Sequence, residues 1–299
     1  MRDGMDAETM MADLKSAEAL SRQAGESARA RLPQAAAEAW TQAAGLLRGA
    51  VEDLTLQLAQ TLEFAAVASL NAGQPDAAAA LAAEVAGRLT ATHPAGELPS
   101  VARAFRLARL GQLFCALQLW DAASASLTTA DEVLAAAPDI ATSRLHVQCL
   151  ATLATAQHFA GRHQDAVAVF ERAAARAETI AAQTNEQADR LAVIQLQNSF
   201  GRTLLTANRP DAAAGVLLRA VTHLDGIVAT EPAAPLRNLL AATLNKLGHA
   251  HAALGERAAA ATCLDRSVGL MQVLVEDEGQ TGLDEDLRMA IQDRERLCA

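Results

Sequence analysis

Residues 150–178 read LATLATAQHFAGRHQDAVAVFERAAARAE, and their spacing decides the fold. Leu150, Leu153, Ala154 and Gln157 recur at the three- and four-residue interval that places side chains on one face of an α-helix. Gly161 interrupts that helix. Asp165 then suits a new helix start, where unpaired backbone N–H groups attract negative charge. Ala166, Phe170 and Ala173 share a face of the second helix. Small residues on both helices permit close antiparallel approach, and the larger ones fill the space beside them.

The pattern returns along the chain. Downstream it reads Gln197, Phe200, Gly201, Leu204 and Asn208, then Ala213, Leu217 and Ala220. A further copy reads Leu244, Leu247, Gly248, His251 and Gly255, then Ala260, Leu264 and Ser267. Upstream come Leu107, Leu110, Gly111, Phe114 and Gln118 with Ala123, Leu127 and Ala130. Before these stand Leu62, Ala65, Ala66, Ser69 and Gly73 with Ala78, Ala82 and Val85. The weakest copy is N-terminal: Leu20, Gln23, Ala24, Ser27 and Arg31 with Ala36, Trp40 and Ala43. The small first-helix residue stands at 24, 66, 111, 154, 201 and 248, so the interval is 42–47 residues.

This resembles the tetratricopeptide repeat (TPR), whose first helix carries Leu, Gly and Tyr-type positions and whose second carries Ala, Phe and Ala. The aromatic that opens the TPR signature is missing here, and the interval is longer than usual, similar to the long-helix variants found in kinesin light chains. The resemblance implies an all-α protein, an α-solenoid coiled as a right-handed superhelix of about six helical hairpins. Those hairpins are expected over 12–48, 50–91, 98–137, 140–182, 188–228 and 235–275, within one array covering 1–275. Residues 276–299 are expected to form an acidic linker and a C-terminal capping helix, with Leu283, Met289, Ile291 and Leu297 on it.

Composition agrees with helices. Half of the 299 residues are apolar, Tyr is absent and aromatics make up 3%, so strand-favouring residues are sparse. The start, MRDGMDAETMMADLK, has no apolar run of the kind a secretory signal needs. No uninterrupted apolar run approaches the roughly 18 residues of a membrane span, so no membrane insertion is expected. Cys115, Cys149, Cys263 and Cys298 form no CxxC pair and are read as reduced thiols of a cytoplasmic protein. A net charge of −10 argues against nucleic acid as a partner, because phosphate contacts need a basic stripe. There is no phosphate-cradling glycine loop, HExxH or GxSxG. His249 and His251 are two apart on a helix and point in different directions; His158 and His163 straddle a turn without a third ligand. The reading is therefore non-enzymatic, with no cofactor and no metal.

Charge is partitioned along the chain. Segments 98–120, 140–164, 190–210 and 232–255 hold no Asp or Glu, ten Arg or Lys and five of the seven His. At the chain's average acid content these 93 residues would carry about eleven acids. At about 100° per residue, the side chains opposite the packing positions of these first helices form one polar face. It comprises Arg109 and Gln112; Gln148, Thr152, Thr155 and His158; Gln195, Asn198 and Arg202; and Asn245, Lys246 and His249. Amides can bond an extended backbone irrespective of its sequence, and cations can take a carboxylate.

By the TPR resemblance, first helices line a concave groove that holds a partner segment. Asn198 with Arg202 and Asn245 with His249 repeat an Asn-x-x-x-basic spacing that resembles part of a carboxylate clamp. The groove is expected to be positive from the third hairpin onward and slightly acidic near Glu63. The expected function is a protein- or peptide-binding scaffold for an acidic or carboxylate-bearing segment. The alternative is a ligand- or peptide-responsive regulatory domain acting on a partner or on its own oligomeric state, and homo-oligomerisation stays open.

Overall fold

The structure, a computed structural model, describes residues 7–29, 42, 55–90, 101–136 and 139–298. No strand occurs among the described residues. The chain divides into two compact units, Met1–Leu117 and Gln118–Ala299. That division falls inside the third expected hairpin.

The first unit contains α1 (Ala7–Arg29), α2 (a helix through 55–71), α3 (Pro75–Thr90) and α4 (Val101–Ala116). Helix α3 packs against α4. Its repeat positions Ala78, Ala82 and Val85 are buried. The second half of the N-terminal hairpin, with Ala36, Trp40 and Ala43, lies outside the described residues, as does the joint near Gly96.

The second unit contains α5 (Trp120–Leu134), α6 (Ile140–Phe159), α7 (His163–Thr184), α8 (Gln187–Thr206), α9 (Pro210–Thr230), α10 (Ala234–Ala253), α11 (Arg257–Gln272) and α12 (Asp284–Cys298). Each helix packs on the next in chain order, the neighbour-to-neighbour arrangement of an α-solenoid. Ala166, Phe170 and Ala173, Ala213, Leu217 and Ala220, and Ala260, Leu264 and Ser267 are all at most 1% exposed. A Cβ added at Gly201 would lie 2.5 Å from Leu217 Cγ, and one at Gly248 would lie 2.6 Å from Leu264 Cγ. The small first-helix residue is thus the point of closest approach within a hairpin.

The turns inside hairpins share one conformation. Gly73, Gly161, Asn208 and Gly255 are left-handed, with φ between 56° and 79°, where a Cβ is costly and Gly or Asn is preferred. In each case the following N–H reaches back to a carbonyl of the last helical turn: Gln74 to Ser69, Arg162 to Gln157, Arg209 to Leu204 and Glu256 to His251. Gln118 occupies the same register position at φ 58°.

After α11 the chain makes a π-helical turn (Val273–Asp277) and a 3-10 turn (Thr281–Leu283) before α12. Ala241, Met271, Leu274 and Leu287 form a buried cluster joined by Leu283 and Ile291, so α12 covers the end of the array. On α12 Met289 is 57% exposed, whereas Leu287 and Ala290 are buried. Two residues along a helix turn a side chain by about 200°, so Met289 cannot share the face of Leu287. The stretches Pro210–Thr230 and Arg257–Glu276 reach the length and mean hydropathy of a membrane-crossing helix. Both carry the buried repeat positions that pack on α8 and α10.

Candidate partner-binding face

Most bases of the acid-free segments meet an acid from elsewhere in the array. In the first unit Glu63, 3% exposed, accepts from Arg109 Nε at 2.6 Å and Arg106 at 3.3 Å. The acid expected to tint the N-terminal end of the face is therefore consumed, together with the charge of Arg109. In the second unit Arg144 bonds Asp189 and Glu186, both across about one repeat. Arg162 takes Asp121 at 2.8 Å, Arg209 approaches Glu171 at 3.9 Å, and Arg237 pairs with Glu278. Asp131 accepts from His146 Nε2 at 2.6 Å and from Arg172 at 2.7 Å. Although burial pushes the Asp131 carboxyl up, those hydrogen bonds hold it below the usual carboxylate value. Asp189 is likewise held low, first by Arg144 and then by Thr184. The charge partition thus serves, in large part, to bridge one hairpin to the next.

Arg190 turns to Asn185 instead, and two further cations have no such partner. Arg202 on α8 and Lys246 on α10 meet no carboxylate among the described residues. Lys246 is partly buried, and its Nζ donates only to the Ala242 carbonyl at 3.2 Å. Burial, with the Arg202 charge beside it, pulls the Lys246 ammonium down to about 8. The Arg202 guanidinium lies over the Phe159 ring, 5.4 Å from its centroid, a cation–π contact. Phe159, half exposed, stacks on Trp120 at 5.0 Å. His158 meets Phe159 edge-on at 5.1 Å and lies 5.2 Å from His163. Its Nδ1 is 3.2 Å from Thr203 Oγ1. Burial first, then Arg202 and His163, lower the His158 pKa, which favours the neutral ring.

The structure therefore places both His158 and Lys246 within reach of the Arg202 charge. Gln148 and Gln195 are exposed on the same helices, and Asn198 and Asn245 are partly buried. Asn198 Oδ1 is buried without a hydrogen-bond partner. The hydroxyls of Thr152 and Thr155 are committed to the carbonyls of Gln148 and Ala151 of their own helix. His249 bonds Asp293 of the capping helix at 2.9 Å, so it ties the cap rather than standing beside Asn245 as a free base. Arg109 and Gln112 belong to the first unit. The aromatic ledge of Phe159 and Trp120 was not anticipated. An exposed Phe two residues before a turn glycine was the signal.

Burial raises the thiols: Cys149 to about 12 and Cys115 to about 11, with Cys263 also raised, so they stay protonated and poorly nucleophilic at neutral pH. No group of three His, Cys, Asp or Glu able to hold a metal ion occurs among the described residues.

No family model and no curated protein matches the sequence. Solved structures do. A putative kinesin light chain of Podosopora anserina with TPR-like repeats superposes with a TM-score of 0.57 at 18% identity, over 75% of this chain and 98% of that one. BtubC (BKLC) from P. vanneervenii gives 0.54 at 15% identity, over 89% and 93%. Aspartyl phosphate phosphatase F from Bacillus subtilis gives 0.58 at 11% identity, over 97% and 80%. With the hairpin register and the neighbour-to-neighbour packing, these likenesses give the chain the fold of a TPR-like repeat protein.

Proposed function

We propose that the protein is a non-enzymatic, cytoplasmic binding scaffold whose Arg202–Lys246 face holds a carboxylate of an extended acidic segment from a partner protein. One observation carries this reading: in an array where most bases are answered by an acid of a neighbouring hairpin, these two cations on successive first helices are not. A partly buried ammonium beside a guanidinium is an unfavourable arrangement that a carboxylate relieves. Phe159 and Trp120 supply an apolar ledge next to it, and the exposed amides of Gln148 and Gln195 can bond a peptide backbone.

The test is affinity capture from cells of the source organism with the wild-type chain and with Arg202→Glu/Lys246→Glu. The double variant is expected to keep its helical circular dichroism and to lose its partner. Retention of the same partner by the folded variant removes the proposal. The other reading is a regulatory domain whose ligand alters a partner or an oligomer. It predicts a ligand-dependent change in sedimentation of the purified chain.

A further inference from the structure

A second site stands on a different face of α8. Between α7 and α9, floored by the first half of α8, lies a cavity of about 920 Å³. That is the size range of small-ligand and side-chain pockets. Its floor and one wall are apolar, from Val193, Ile194 and Ile227. Its polar lining includes two carboxylates with Gln187, Arg190, Thr222 and His223. Glu178 stands on the α7 wall and Glu231 at the end of α9; Glu231 already accepts from Gln187 Nε2 at 2.8 Å. Glu178 meets no cation among the described residues; its one contact is the Gln197 amide nitrogen at 3.5 Å. Gln197 is itself 1% exposed, and its Oε1 has no hydrogen-bond partner. Arg190, the cation on the floor, is spent on the Asn185 carbonyl and side chain.

The repeat shows what belongs there. Arg172, Arg219 and Arg266 each stand immediately before the last small residue of the second-helix signature, Ala173, Ala220 and Ser267. Arg172 reaches back 41 residues to Asp131 on the preceding second helix, and Arg266 reaches back 41 residues to Asp225. Glu178 occupies the register position of Asp225, five residues past the signature, and Arg219 stands where Arg266 does. Yet Arg219 is exposed and makes no ion pair among the described residues. On either side a guanidinium crosses to a carboxylate of the preceding second helix; here the carboxylate is unanswered.

We propose that the cleft between α7 and α9 is a slot for an arginine side chain supplied by a partner protein. The guanidinium would take the place that Arg266 fills one repeat later. It would donate to Glu178, which the buried Gln197 amide backs from behind, with its methylene stem against Ile194 and Ile227. A planar guanidinium bonds a carboxylate through two N–H groups, which an ammonium cannot do with the same geometry. This cation-accepting slot is independent of the anion-accepting face at Arg202 and Lys246.

The experiment is an NMR titration of the full chain with N-acetyl-arginine amide, read at the side-chain amide of Gln197, with N-acetyl-citrulline amide as the uncharged control. Saturable shifts with the arginine probe are expected. Affinity should fall at least tenfold with citrulline and in Glu178→Gln, an exposed conservative change that leaves Arg202 and Lys246 untouched. Absence of saturable binding overturns the proposal, as does equal binding by Glu178→Gln. Binding that emerges only in Arg219→Gln also overturns it, because Arg219 would then be filling the cleft itself.

Discussion

Lys246 and Asp131 show how burial and pairing decide what a charge does. Asp131 is answered twice, by His146 and Arg172, and its carboxylate is stabilised in place. Lys246 is answered by one backbone carbonyl. The ordinary lysine value of 10.5 applies to the unfolded chain, and the folded chain holds this ammonium near 8. Below pH 8 the residue is charged in both states, so the folded state carries the full cost of burying it. Between pH 8 and 10.5 that cost fades, and above 10.5 it is gone. Lys246→Met is therefore expected to raise stability at pH 7 by about 2 kcal/mol, with the gain shrinking to nothing above pH 10.5 in urea denaturation. A gain of equal size at both pH values would contradict this. The sequence displayed these two residues unequally. Lys246 was legible as a cation on the polar face. Its isolation was not, because which Arg finds which acid depends on packing between hairpins about one repeat apart.

The hairpin itself was almost wholly legible. Every second-helix position in the register, from Ala78 to Ser267, is buried, because Ala, Leu and Phe at helical spacing have one way to leave water. The turns were legible too, through Gly73, Gly161 and Gly255. Gln118 is the exception, a side chain with no conformational preference for the left-handed geometry it adopts. Close approach at the small position makes a specific demand. Gly201→Ala would push a methyl group to within 2.5 Å of Leu217 Cγ, and overpacking of this kind costs about 1–3 kcal/mol. The expected outcome is a lowered urea midpoint with unchanged slope. An unchanged midpoint would mean that α8 and α9 separate freely at that point. Helix α12 marks the limit of this kind of reading. In a charged helix with few apolar residues, the face is set by which side chains reach the neighbouring helix, and Leu287 and Ala290 do so.

Stacked hairpins leave an open apolar face at the end of a row, and α12 closes it here. Removal of residues 279–299 uncovers Ala241, Met271 and Leu274. The truncated chain is expected to unfold at lower temperature and to self-associate in size-exclusion chromatography with light scattering. A monodisperse chain of unchanged midpoint would deny α12 its capping role. The same row explains the charge partition. Bases of the acid-free segments and acids outside them find each other between hairpins, as in Arg144 with Asp189 and Arg162 with Asp121. Composition revealed the segregation, and TPR resemblance suggested a groove. Only the packed array shows that many of these bases are already paired, while Arg202 and Lys246 meet no carboxylate among the described residues. Titration of the Lys246 ammonium by NMR in the intact chain tests this without knowledge of the partner. A midpoint near 8 is the predicted result; a midpoint at the ordinary value of 10.5 would show the charge to be solvated or already paired, and would contradict it.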